Sequence, residues 1–396
     1  MRERYQQYKK AFAKQPMPFA FVDMDLLDAN IAQVLTRSGD KKIRVASKSV
    51  RSVAIVRYIL ASDTRFQGLM CFTAPEAVWL AEQGFTDLLV AYPTWEPTHI
   101  TAVCHAIQQD QQITLMVDSE AHLSHIAAIA QKENVVVPLC LDLDMASDYG
   151  PIHFGVWRSA VRDVDTAVSL ARQIADSPHL MLAGVMGYEA QIAGLGDANA
   201  QQKVMSRLIR TLKGRSIPEI AKRRGAIIET IQAEGIDLRF VNGGGTGSLH
   251  TTSQETAVTE VTAGSAFYAP LLFDHYRDFQ FEPAAGYAIQ IVRQPKPNIY
   301  TCLGGGYSAS GQTGADKSPQ PYLPQGATLD SNEGAGEVQT PIEYDGSENL
   351  QLGDPIFMRH AKAGELCERF TQLLLLRNGR ILEAVTTYRG DGQCFL

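Results

Sequence analysis

Apolar residues along this chain follow two alternating rhythms: short unbroken apolar runs, and longer stretches in which they recur every three or four positions. The first rhythm predicts strands and the second helices. After a charged leader, MRERYQQYKKAFAKQ, which reads as an exposed helix, Pro18 to Val22 predicts a strand and Met24 to Leu35 a helix. Strands follow at Arg44 to Ser47, Phe66 to Cys71, Asp87 to Ala91, Ile113 to Val117, Val135 to Asp144, Leu180 to Met186, Leu238 to Val241 and Val258 to Val261. Between them the helical spacing returns, for example over Pro75 to Gln83 with Thr73 as its cap, over Glu120 to Gln131, and from Ala198 to Glu234 with a break near Gly214 to Pro218.

Leaving out the Pro18 to Val22 run, eight strands separated by helices or long connections predict an α/β fold, a (β/α)8 barrel over 1–280. An open doubly wound sheet satisfies the same pattern, because a strand count does not show closure. From about residue 280 the rhythm changes to strands alone, at Ala288 to Val292, Tyr300 to Leu303, Ile356 to Arg359, Phe370 to Arg377 and Arg380 to Tyr388. Residues 281–396 therefore form a second, C-terminal β-rich domain, interrupted by a long irregular insertion from Gly304 to Gly353 that is dominated by Gly, Pro, Ser, Asp and Gln. No internal repeat points to a solenoid or propeller.

Composition changes this picture little. With 45% apolar and 20% charged residues in 396, the chain is of ordinary globular make-up. A net charge of −7 gives no reason to expect nucleic acid or an anionic membrane as partner, and the basic stretch from Lys203 to Arg224 interleaves its charges with apolar residues at helical spacing, as a solvated helix face does. Six cysteines stand without a CxxC pair, several in apolar runs, which suits free thiols in a reducing compartment. The polar N-terminus lacks the apolar core of a signal peptide and no apolar run is long enough to span a bilayer, so the expected setting is the cytoplasm.

In a βα barrel the reacting groups lie at the carboxyl ends of strands. The first strand delivers Lys48, in RVASKSVRS; the fifth delivers Asp142 and Asp144; the sixth Tyr188 and Glu189; the seventh Asn242-Gly243-Gly244-Gly245-Thr246. Taken alone, Lys48 reads more readily as a solvated lysine past a strand, and the glycines as a tight turn. Together they suggest more: an amine able to form a Schiff base, and consecutive glycines whose N–H groups approach an anion closely, match the aldehyde and the phosphate of pyridoxal phosphate.

The motifs PFAFVDMDLLDANIA, RVASKSVRS, GFTDLLVAYPT, GVMGYEAQ, VNGGGTGS, TEVTAGSAFY and YRGDG, in this order, resemble the fold-type III pyridoxal phosphate enzymes, the alanine racemase-like barrels, and within them the D-threonine aldolase and D-serine dehydratase group. The resemblance covers nearly the whole chain. It implies that Lys48 carries the cofactor as a Schiff base, that Gly243, Gly244, Gly245 and Thr246 hold its phosphate, that Tyr188 lies near its ring and that Tyr268 contacts the phosphate region. A packed tyrosine with a bonded hydroxyl is the alternative for both Tyr188 and Tyr268.

Two departures stand out. Where relatives carry an arginine that reaches the cofactor, in D-x-G-x-x-R-x-G-V, this chain reads DYGPIHFGV, with His153 in the slot as a cofactor contact or a packed residue. Relatives also bind a divalent metal through a histidine and an acid or cysteine two positions on; here His360 matches but Lys362 occupies the second-ligand position, leaving a metal in doubt unless Glu365 or Cys367 reaches round. The resemblance implies a lyase that cleaves a D-configured β-hydroxy-α-amino acid to glycine and an aldehyde, with His360 and Lys362 handling the hydroxyl, in a homodimer. A D-serine-type dehydratase, an amino acid racemase and a non-catalytic pyridoxal phosphate carrier are the alternatives.

Overall fold

The computed structural model describes residues 1–312 and 314–395. Proximity of Cα atoms divides the chain into two units that interleave along the sequence: one is mainly Val34–Lys48 and Val56–Gly264, the other Met1–Gln33, Ser49–Ile55 and Ser265–Cys394.

The first unit is a closed eight-stranded parallel barrel, so the open-sheet alternative is excluded. Its strands are Lys42–Ala46, Phe66–Cys71, Leu88–Pro93, Ile113–Val117, Val137–Leu143, Leu180–Gly187, Phe240–Gly243 and Glu260–Ala263. Each pairs with the next in chain order, and closure comes from the last pairing with the first, Val45 opposite Ala263. Unbroken apolar runs produce such strands because both faces are covered, the inner by the barrel core and the outer by helices. That core includes Leu89, Met116, Cys140, Met186 and Phe240, each nearly inaccessible.

The barrel also encloses a charge. Arg44, on the first strand, is fully buried and bonds Glu260 through Nε at 2.7 Å and Nη2 at 3.0 Å, and it also bonds the Asp87 carboxylate at 3.0 Å and the Asp87 carbonyl at 2.7 Å. Asn242 Nδ2 donates to the same Glu260 at 2.8 Å. Three strands of the barrel and the residue just before a fourth are thereby held by one ion cluster.

Helix Lys203–Ala233 runs unbroken through Pro218, against the break expected near Gly214 to Pro218. A proline inside a helix loses one hydrogen bond and crowds the carbonyl four residues earlier, and here that residue is Gly214, which has no side chain to add to the crowding. Burial of Leu212, Ile220, Ile227, Ile228 and Ile231 on one stripe holds the helix together.

The second unit is a nine-stranded sheet. Its central strand Ala285–Lys296 pairs antiparallel with Phe19–Asp23, Ile299–Leu303 and Pro355–Arg359. The early strand thus belongs to this sheet, where it also runs parallel to Gln372–Arg377. The segment expected to be irregular contributes strands Gln320–Leu323 and Ala327–Leu329, each with a single partner strand as at a sheet edge, and Gln339–Tyr344, which is paired on both sides.

The leader helix, Arg2–Ala11, is not simply exposed: Tyr5 and Tyr8 are buried. Tyr8 meets Phe12, Phe21 and Phe357 edge-on and donates its hydroxyl to Asp23 at 2.6 Å. The apolar signal, Tyr5, Tyr8 and Phe12 at helical spacing, is hidden in the sequence by the surrounding charges. Among the described residues no helix is long and apolar enough to cross a membrane, and all six cysteines are free thiols.

Candidate active site

The first barrel strand ends at Ala46, and a single 3-10 turn, Ser47–Ser49, follows. Ser47 fixes that turn by donating its hydroxyl to the carbonyl of Met70 on the second strand, at 2.9 Å. Lys48 is half-buried, and its Nζ donates to the hydroxyl of Tyr92, at the end of the third strand, at 2.6 Å. Burial alone would raise the Tyr92 phenol, but the Lys48 ammonium and then Arg158 more than offset it, so its pKa lies below the ordinary value.

Arg158 lies over two rings, with its guanidinium carbon 5.7 Å from the centroid of Tyr92 and 5.2 Å from that of Tyr188. Tyr188 follows the sixth strand, and burial pushes its phenol up to about 12. A cavity beside it is lined by Asp142, Asp144, Arg158, Ser159, Met186 and Tyr188 among others. Asp142, at the end of the fifth strand, is pushed up to about 7 by burial and then by the charge of Asp118.

The sign of that shift makes a prediction. A carboxyl raised above its ordinary value of about 4 holds a proton in the native state that the unfolded chain has released, so stability falls as pH rises from about 4 through about 7. Asp142→Asn removes the charge and is expected to add on the order of 2 kcal/mol of stability at pH 8 and nothing at pH 4, as measured by denaturant unfolding at both values. An equal effect at the two pH values would contradict a raised Asp142.

The glycine turn after the seventh strand requires its glycines. Gly244 has φ of +82°, a left-handed conformation. A Cβ on Gly245 would lie 2.9 Å from the Ala193 Cβ and 3.0 Å from Tyr188 Cε2, and one on Gly243 would lie 2.9 Å from Thr252 Cγ2. Ser248 accepts the Gly245 N–H at 3.1 Å. Beneath the turn Arg224 is fully buried, donating to Glu189 at 2.8 Å, to the Gly187 carbonyl at 2.9 Å and to Glu255, while Ser248 donates to Glu189 at 2.7 Å and Thr252 donates to it as well. Gly245→Ala should displace Tyr188 and raise the Kd for pyridoxal phosphate about tenfold, measured by titrating the cofactor into the apoprotein.

These features fit pyridoxal phosphate. The seventh strand is joined to the first through the eighth, so the glycine turn and the Lys48 turn share one rim about 10 Å apart, two strand spacings. A phosphorylated pyridine aldehyde bridges such a span, its aldehyde at the lysine and its phosphate at the glycines.

A metal does not fit. His360, at the end of strand Pro355–Arg359, is wholly buried, and the backbone of Ala285 and Ala363 lies nearest its ring nitrogens without good hydrogen-bond geometry. Burial and then the Arg359 charge hold its pKa down to about 3. Lys362 Nζ donates to the carbonyl and hydroxyl of Ser310 at 3.0 and 3.1 Å, Glu365 accepts the Ser310 N–H, and the Cys367 thiol donates to the Val50 carbonyl at 3.3 Å. Among the described residues no three His, Cys, Asp or Glu side chains converge as a metal site.

Of the other expected residues, Tyr268 is fully buried, donates its hydroxyl to the Val50 carbonyl at 3.1 Å and meets the His360 ring edge-on. His153 bonds Asp148 through Nδ1 at 2.8 Å and stacks on Trp157, its Nε2 buried and unpartnered. Tyr92 and Arg158 were not singled out from the sequence, although Tyr92 lies in the quoted motif GFTDLLVAYPT and Arg158 two residues past the GV of DYGPIHFGV.

A closed barrel with a lysine turn and a glycine turn on one rim defines a barrel built for a phosphate-bearing cofactor. Residues 22–270 match the family described as alanine racemase, N-terminal domain, and the chain belongs to that family, the fold-type III pyridoxal phosphate enzymes. It is 23% identical over 250 residues to the 3-hydroxy-D-aspartate aldolase of Paracoccus denitrificans (strain Pd 1222), a match spanning 63% of this chain and only 59% of that relative. Similar solved structures include a D-threonine aldolase from Filomicrobium marinum, with TM-score 0.78, 16% identity and 95% of each chain covered. Another is the D-threo-3-hydroxyaspartate dehydratase from Delftia sp. HT23, with TM-score 0.75, 18% identity, and 95% of this chain and 98% of that one covered. At these identities the structural likenesses speak for the fold.

Proposed function

We propose that the protein is a pyridoxal phosphate-dependent lyase that cleaves a D-configured β-hydroxy-α-amino acid to glycine and an aldehyde. The observation that carries this reading is Lys48 Nζ held by Tyr92 on the same rim as the glycine turn. Support for the reaction type comes from the relatives, two of them named as aldolases of β-hydroxy amino acids.

Pyridoxal phosphate, when bound, supplies an aldehyde for an amine and a ring that draws electron density from the substrate Cα. Lys48 offers the amine, and the Tyr92 hydroxyl beside it is positioned to exchange a proton with Nζ. Gly243, Gly244, Gly245 and Thr246 form the turn that would receive the phosphate, the Gly245 N–H being already held by Ser248. Tyr188 packs on Gly245 and would lie against the cofactor ring; His153 has Nε2 to offer; Tyr268 gives support with a hydroxyl already bonded to Val50. For the β-hydroxyl proton we assign His360, neutral at physiological pH, with the Lys362 ammonium two residues on as the accompanying charge. The active form is a homodimer in the cytoplasm.

The test is incubation with D-threonine, followed by measurement of glycine, acetaldehyde and ammonia. Glycine and aldehyde in equal amounts support the lyase, and their absence sinks it. Ammonia without glycine favours dehydration, a second reading favoured by the likeness to the Delftia dehydratase. Because no donor set for a metal converges near His360 among the described residues, prolonged chelation is expected to leave activity within about twofold.

A further inference from the structure

We propose that Arg158 binds the α-carboxylate of the amino acid substrate. This rests on the proposed function only in that the substrate is an α-amino acid.

Arginines of the barrel unit close to the site are occupied. Arg224 bonds Glu189 and Glu255, Arg162 bonds Asp148 and the Ala146 carbonyl, and Arg223 bonds Glu219 and the same carbonyl. Arg158 is different: it makes no hydrogen bond and no ion pair with another described residue. The residue is exposed, yet its guanidinium carbon lies over both the Tyr92 and Tyr188 rings, within 6 Å of each centroid. Ring faces fix the cation without using its donors, which leaves the planar fork free for a carboxylate.

Position supplies the second argument. Tyr92 is shared: its hydroxyl accepts from Lys48 Nζ at 2.6 Å, and its ring lies under Arg158. A substrate amine must replace the lysine amine, and in an α-amino acid the carboxylate hangs on the neighbouring carbon. The cation that receives it therefore has to stand near Lys48, as Arg158 does. Asp144 lines the adjoining cavity and would repel a carboxylate displaced from the guanidinium, narrowing the binding pose.

The experiment is a visible-absorption titration of the cofactor-loaded protein with D-alanine and with D-alaninamide, which differ in the carboxylate alone. The unmodified protein should bind the acid more tightly than the amide. Arg158→Gln should raise the apparent Kd for D-alanine about 10- to 100-fold and leave the amide nearly unchanged, with Arg158→Lys intermediate. Absence of an acid-over-amide preference in the unmodified protein overturns the proposal, as does an equal loss for both compounds in Arg158→Gln. A changed absorption band before any amino acid is added also overturns it, since the guanidinium would then serve the cofactor. If the acid-over-amide preference is present and depends on Arg158 while D-threonine gives no glycine or ammonia, the lyase reading fails and the assignment of Arg158 stands.

Discussion

Lys48→Ala is expected to lower turnover by at least about 10⁴-fold and to change the visible absorption of bound pyridoxal phosphate. The side chain is half-buried at a turn secured by Ser47, so its removal should alter stability by no more than about 1 kcal/mol. Loss of activity with an unchanged unfolding midpoint separates chemistry from folding. A small added amine such as methylamine should restore part of the rate, because the missing group is a primary amine beside the Tyr92 hydroxyl. Tyr92→Phe keeps the ring under Arg158 and removes the hydroxyl, and should reduce turnover by about 10²-fold, the usual worth of a positioned proton partner. A Lys48→Ala protein that keeps its rate and its absorption would remove the basis of the site.

Arg44→Ala should be the most destabilising single change in the barrel, by about 3–5 kcal/mol. The lost bonds themselves are a minor part of this. The larger part is Glu260, left in the barrel interior without its cation, together with Asp87, which keeps only Arg239. The two carboxylates differ in expected response, since Glu260 is 1% exposed and water reaches Asp87 more easily. Pairing Arg44→Met with Glu260→Leu removes both charges and should recover most of the loss, as buried ion pairs replaced by apolar groups often do. Denaturant unfolding of the single and double variants checks this; a double variant as unstable as Arg44→Ala would show that packing around Arg44, and not the stranded carboxylate, sets the loss.

The barrel was legible because most of its strands are apolar runs separated by helical stretches or long connections, and Lys48 because it follows the first of them. The glycine turn was legible from three consecutive glycines. What remained hidden depends on partners distant in sequence. Tyr8 looks solvated until Phe21 and Phe357 are brought against it, and Arg158 looks like one more polar residue in a loop until Tyr92 and Tyr188 lie under it. The continuity of the helix through Pro218 is decided by its buried stripe, which outweighs the local signal of a break. Position alone matched His360 to a metal ligand, while the lack of a second donor is a property of Lys362, Glu365 and Cys367 each finding a partner elsewhere.

Closure of the barrel by its first and last strands has a consequence for synthesis. The Lys42–Ala46 strand leaves the ribosome early, yet its neighbour on one side, Glu260–Ala263, is translated more than two hundred residues later. Until then the edge that precedes the lysine stays unpaired, open to a wrong partner strand. Nascent chains released before the eighth strand should therefore lack the lysine pocket and be prime clients for chaperones, whereas the full-length chain seals that edge in the same event that completes its reactive rim.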